Sequence, residues 1–494
     1  MKRRTMRALA ALVASTALVA PTARAELSDR EQAQILMAVD KDAKPIETTA
    51  LAIWNYAELG YLETQSSFLL QQKLKDAGFT VKTGIAGEPT AFVASYRTGP
   101  GPVIALLAEY DALPGLSQQG GVGEHKPIAG QGAGHGCGHN LFGTASSYAG
   151  IAVKQWMIAN NIKGEIRVYG TPAEEGGSGK AFMVRDGAFK DVDIALHWHP
   201  GNANSASQGP SMANISGKFR FHGKSSHAAG APDKGRSALD GVEAMDAMVN
   251  LMREHIPDRT RIHYVITDGG KAPNVVPDFA EVYYYVRHQD PEVVRSVMDW
   301  VKKAAQGAAM GTETTVDFEQ TGGVFSMLPN ETLMKVMDKS LHRVGGISWT
   351  PQEKAFGAAI QKSLAPGAPS LDSVGEIKPA VIESMAMGGS TDVSDVSWVV
   401  PTVGLSTATF VPGSPGHSWQ NTAAAGASVG IKGAMLATKT LALTAADLFT
   451  SPATIAAAKQ ELDQRRGADF QYHALVGDRP PPLDYRKPTA AKQD

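Results

Sequence analysis

The single cysteine of the chain, Cys137, stands two residues before His139 in the run Gly134-His135-Gly136-Cys137-Gly138-His139-Asn140. Thiolate and imidazole are soft and borderline donors that suit ions such as Zn, Mn, Fe or Co. The flanking glycines let the backbone crowd close to a bound group. Further along, Glu174 and Glu175 follow the strand-like EIRVYG and the turn Thr171-Pro172. Adjacent side chains diverge, so one carboxylate can hold a cation while the other faces the water it activates. Metal-assisted hydrolysis needs that division between a ligand and a general base. His197 and His199 lie in DVDIALHWHP, and His417 in PGHSW, each at the end of or after a strand-like stretch. Taken singly, every one of these has an ordinary alternative: a buried cysteine beside a hydrogen-bonded histidine, a solvated acidic turn, an exposed histidine. Together they are sets of donors at successive sheet exits, and that favours a metal centre. Two other chemistries use some of the same residues. One is a hydrolase with Cys137 as nucleophile and a histidine as base; the other is a metal-binding protein without catalysis.

The elements that must carry these donors follow from hydrophobic spacing. Residues 29–79 repeat apolar residues at helical intervals, and Gly78 closes the last turn. Residues 91–96 and 103–108 read as strands, the second apolar throughout and so buried on both faces. A glycine-rich loop over 113–138 leads to a helix from about Gly143 to Asn160. There Cys137 and His139, two apart in an extended segment, project to one side. Strands then alternate with helices, which predicts an α/β domain with a mixed, mostly parallel sheet whose strand ends carry the site. Near residue 211 the pattern becomes strand–helix–strand–strand–helix, the order of a small α+β insert. The expected division is a leader over 1–25, a catalytic domain in two parts (26–210 and 322–450), a lid over 211–321, and an exposed C-terminal tail over 451–494. An Ala-rich helix is expected at 423–447, and three consecutive prolines stand at 480–482.

Composition narrows the function classes. The chain has 494 residues, with 47 basic and 49 acidic side chains and a formal charge of −2. A pI near 6.7 without a basic cluster argues against a nucleic-acid surface. One cysteine excludes an intramolecular disulfide. Lys2, Arg3, Arg4 and Arg7, the apolar run over 8–20 and Ala23-Arg24-Ala25 have the three-part layout of a secretory signal peptide. The apolar run is shorter than the roughly 17–25 residues of a membrane span. An exported, periplasmic protein without membrane insertion is expected.

The stretches AEYDALPG, GHGCGHN, TPAEEGG, DVDIALHWHPG, GKSSHAAGAP, NVVPDFAEVYYYVR, GSTDVSDVSW and PGHSW together resemble the amidohydrolase branch of the aminoacylase and glutamate-carboxypeptidase metallopeptidase superfamily. Within it they are most similar to the B-type aminobenzoyl-glutamate hydrolase group. The resemblance implies a catalytic domain holding two divalent ions, Zn or Mn, and an inserted ferredoxin-like lid through which two copies pair. It implies Cys137, His139, Glu175, His199 and His417 as metal ligands and Glu174 as general base. His199 is preferred to His197 because family members place this ligand six residues after the strand's aspartate, here Asp193, and directly before proline. His197 then supports the site or substitutes for His199. Five ligands exceed the four of a single tetrahedral site and fit two ions about 3.5–4 Å apart. Asp111 would orient a ligand. From the lid, His227 would stabilise the oxyanion, reaching in from a partner copy, while Asn274 and Arg287 would hold the substrate. The implied reaction is hydrolysis of the amide bond of an N-acyl or aryl-amide amino acid, such as aminobenzoyl-glutamate, by a metal-activated hydroxide. A dipeptidase or N-acyl-amino-acid deacylase of the same fold is the neighbouring alternative.

Overall fold

The computed structural model describes residues 26–386 and 389–487; the expected signal peptide over 1–25 lies outside them. The strand Val103–Ala108 is apolar and buried at every position, and it lies inside the main sheet. Glu165–Gly170 and Ile194–Gly201 flank it in parallel, and Thr402–Ala408 adds to the far side of Ile194–Gly201, again in parallel. Phe92–Arg97 and Thr80–Thr83 complete the opposite edge as antiparallel strands, giving a six-stranded sheet. The four parallel strands all end at one edge, so whatever follows Ala108, Gly170, Gly201 and Ala408 is gathered there. The helices His139–Ala159 and Ser428–Thr450 are buried along most of their length and pack against each other over the sheet.

The lid is a second, four-stranded antiparallel sheet. Its strands Ala213–His222, Arg261–Asp268, Phe279–His288 and Thr315–Val324 lie in the order fourth, first, third, second. With the helices Ala238–Met252 and Pro291–Gly311 after the first and third strands, this is a ferredoxin-like arrangement. The helices bury Val242, Met245, Val294, Val297 and Val301 against one face of the sheet. Arg261–Asp268 is an edge strand, and Tyr264, Val265 and Ile266 on it are exposed, as is Leu251 on the first helix. The last strand runs to Val324, past the expected limit at 321.

Three local expectations are corrected. The helix expected from Gly143 begins at His139, because Gly138 turns the chain in the left-handed region with φ +78°. The single helix expected over 423–447 is two, Trp419–Ala425 and Ser428–Thr450. Gly426 at the break lies against Trp54, where a Cβ would come within 2.4 Å of the indole. The expected tail is not one. Pro452–Arg466 is a helix that buries Ile455, Ala458 and Leu462, whose three- and four-residue spacing is one helical stripe in an otherwise polar segment. Beyond it, Leu475 joins the lid core and Val476 packs on Phe182. No single helix among the described residues is long and apolar enough to cross a membrane.

Candidate metal centre

The donors meet at the common edge of the parallel strands. Cys137 and His139 approach through the Gly138 turn, not through the alternation of an extended segment. A Cβ at Gly138 would lie 2.8 Å from Pro200, so only glycine lets this loop pass the end of the strand that carries His199. Cys137 Sγ is 3.4 Å from His199 Nε2. Two triads of ligand atoms result, Cys137–His139–His199 and Cys137–Glu175–His417, each with all atoms within 4.8 Å of one another. Cys137 belongs to both, and the five expected ligands are all included. His197 is in neither. Its ring lies against Gly404 on the neighbouring strand, where any side chain would collide with it, and burial lowers its pKa to about 4.

The imidazoles are oriented by their other nitrogens. His139 Nδ1 donates to Asp111 Oδ1 at 2.8 Å, and His199 Nδ1 donates to the Pro200 carbonyl at 2.8 Å. In both rings Nε2 is therefore the atom free to ligate. Asp111 also accepts the Glu175 N–H at 2.9 Å, so one carboxylate fixes two of the five donors. His417 has φ +52° and is largely exposed, with Nε2 3.4 Å from Glu175 Oε1. Glu174 shares a third cluster with His139 and Glu109.

Electrostatics follow from burial. It pushes the Cys137 thiol well above its usual range and lowers His199, to which the neighbouring His139 adds. Burial also opposes charge on His139, but Cys137, Asp111 and Glu109 outweigh it and hold that group up. Glu174 is raised first by burial and then by Glu109, Glu175 and Asp392, since each disfavours its charged form.

Three residues went unseen in the sequence. Lys180 is fully buried, 2.7 Å from Glu109 Oε1 and 2.6 Å from Asp392 Oδ1, and Glu109 Oε2 lies 3.1 Å from His139 Nε2. A buried ammonium persists only when paired, and here it balances carboxylates just behind Glu174. Glu109 is two residues before Asp111 at the same strand exit, and Asp392 lies in GSTDVSDVSW. Those positions were the available signals; Lys180 had none.

A cavity of about 400 Å³ opens onto the centre, lined by Cys137, Glu174, Glu175, His199 and His417 on one side and by Arg287, Asn214 and Tyr285 of the lid on the other. Arg287 donates to Ser390 Oγ at 2.9 Å, and the described residues give it no carboxylate partner. His227 and Asn274 do not line this cavity. They sit together at another part of the lid, where the Ala228 N–H donates to the Asn274 carbonyl and both side chains are exposed.

The donor set fits divalent ions. His139 Nε2 and Glu175 Oε1 are buried, yet they find no hydrogen-bond partner of good geometry among the described residues. Buried polar atoms are seldom left so, and carboxylates outnumber the one lysine around them. A soft thiol, three imidazoles and a carboxylate make a mixed S/N/O shell.

A peptidase dimerisation domain of the M20 type matches residues 212–312, within the lid. The chain is 40% identical over 451 residues to the B-type subunit of p-aminobenzoyl-glutamate hydrolase from Escherichia coli, covering 86% of this chain and 94% of that protein. The Xaa-Arg dipeptidase of Mus musculus is 29% identical, covering 86% and 90%. A dinuclear metal-binding peptidase of the M20 family from Bacillus subtilis shares the fold, with TM-score 0.52 and 16% identity over 81% of this chain and 98% of that one. The chain thus belongs to the M20 peptidases, hydrolases of amide bonds, and within them to the B-type aminobenzoyl-glutamate hydrolase group.

Proposed function

We propose that the protein is a two-metal amidohydrolase that cleaves the amide bond beside an amino-acid carboxylate. The observation that carries this is the pair of donor triads sharing Cys137, with Glu174 beside them. Cys137, His139, Glu175, His199 and His417 would hold the ions, Zn or Mn. Such ions acidify water and polarise a carbonyl. Glu174, raised by its buried setting, takes the proton from the attacking water and passes it to the leaving nitrogen. Arg287 offers its planar fork to the substrate carboxylate across the cavity. His227 and Asn274 act from a second copy paired through the lid, His227 donating to the developing oxyanion.

The substrate class rests on the relative at 40% identity, so N-aryl-amide and N-acyl amino acids such as aminobenzoyl-glutamate come first. Dipeptides come second, on the Xaa-Arg dipeptidase relative. The leader's basic, apolar and small-residue segments support export to the periplasm; recovery of tagged protein in the cytosol, unprocessed, would rule that out. The decisive experiment combines metal analysis with turnover of aminobenzoyl-glutamate, N-acyl amino acids and dipeptides, before and after chelator treatment. Activity that survives complete metal removal would favour the Cys137 nucleophile instead. Metal uptake without turnover of any substrate would leave a binding protein.

A further inference from the structure

The segment after Pro452–Arg466 ties the two domains together and then reaches the donor cluster. Tyr472 Oη donates to Asp395 at 2.7 Å, and Arg295 of the lid donates to the His473 carbonyl at 3.0 Å. Leu475 is buried in the lid core, and Arg185 donates to the carbonyls of Gly477 and Arg479 at 3.1 and 2.6 Å. Further along, Tyr485 Oη donates to the Glu175 carbonyl at 3.1 Å, and Arg486 Nη2 donates to the same oxygen at 2.7 Å. The Tyr485 ring meets Tyr61 edge-on at 5.8 Å, and the Arg486 guanidinium lies 4.9 Å from the Tyr485 ring. Gly60 makes room for this docking, since a Cβ there would come within 2.2 Å of Tyr485 Oη.

The Glu175 residue is therefore gripped at both ends of its backbone. Its N–H is held by Asp111, and both lone pairs of its carbonyl are engaged by the C-terminal segment. A carboxylate ligand can be aimed only as well as the peptide that carries it, and partners behind a ligand set much of a site's affinity. We propose that Tyr485 and Arg486 are positioning residues that fix the Glu174–Glu175 turn, so that Glu175 points at the cation and Glu174 at the reacting water. The proposal rests on the metallohydrolase reading above.

The test uses full-length apo-protein titrated with Zn²⁺ against a chromophoric chelator, beside kcat for aminobenzoyl-glutamate and the melting temperature. Arg486→Ala weakens Zn²⁺ binding about tenfold, within the range seen for such supporting partners. Tyr485→Phe, which keeps the ring against Tyr61, weakens it less, and Arg486→Lys recovers part of the loss. Arg295→Ala, which loosens the same segment at His473 and not at Tyr485 or Arg486, leaves Zn²⁺ affinity unchanged. Wild-type Zn²⁺ affinity and kcat in both Arg486→Ala and Tyr485→Phe overturn the proposal, even where melting falls, because a purely structural latch would behave so. Failure of the wild-type protein itself to take up Zn²⁺ or Mn²⁺ overturns the metallohydrolase reading, and the inference with it.

Discussion

The catalytic sheet and the lid supply the site by different means. On the sheet, donors from four strand exits converge within one chain, and hydrogen bonds through Asp111, Pro200 and the C-terminal segment hold them. On the lid, Arg287 reaches the cavity of its own chain, whereas His227 and Asn274 are exposed away from it. The difference teaches that parallel strand topology is enough to assemble the donors, while of the expected lid residues one chain brings only Arg287 to the cavity; on the proposed function, His227 and Asn274 need a second copy.

The contrast can be broken most severely on the sheet. Glu174→Ala is expected to lower turnover by about 10²–10⁴-fold with metal content intact, whereas His139→Ala loses metal as well. Near-normal kcat in the first variant would remove Glu174 from the mechanism. Next in size is Lys180→Met, which leaves Glu109 and Asp392 buried without their cation. The expected loss is about 3–5 kcal/mol of stability, and denaturant unfolding with less than about 1 kcal/mol change would mean that those acids are satisfied otherwise.

On the lid, His227→Ala should cost about 10²-fold in kcat, the loss of one oxyanion donor. A mixture of inactive Glu174→Ala and His227→Ala proteins, dissociated and reassociated, sharpens the comparison. If His227 works across the pair, the mixed dimers carry one intact site and activity returns to roughly a quarter of wild type. No recovery would place His227 outside the partner's site. The smallest effect concerns Asp246, hydrogen-bonded to Tyr284 and raised by burial to about 6. The folded lid then holds a proton that the unfolded chain has released. Its contribution is complete below the ordinary value of 3.8 and is lost as pH rises through about 6. Asp246→Asn removes that loss, stabilising the protein at about pH 8 by on the order of 1–2 kcal/mol and little at about pH 3. Equal shifts at both pH values would contradict it.

Much of the site was legible because its donors are unusual residue types placed just after apolar, strand-like stretches. The alternation of strands and helices likewise carried the sheet, and the change near residue 211 carried the lid. What escaped notice depends on partners far apart in the chain. Lys180 meets Asp392 across more than two hundred residues, and lysine is ordinarily a surface residue, so nothing local marks it. The C-terminal segment is polar and proline-rich. Of its described residues after Arg466 only the short pair Leu475-Val476 is fully buried, which is too little periodicity to read as structure, and its other anchors are hydrogen bonds to distant parts of the chain. Cys137 and His139 were paired for the wrong geometric reason: the Gly138 turn, not strand alternation, brings them together.

The open edge strand Arg261–Asp268 carries apolar side chains into solvent. Such an edge is usually covered. If a second copy covers it and lends His227 to the cavity, active sites exist only in the associated protein. Specific activity then falls on dilution, and catalysis acts as a gauge of protomer concentration.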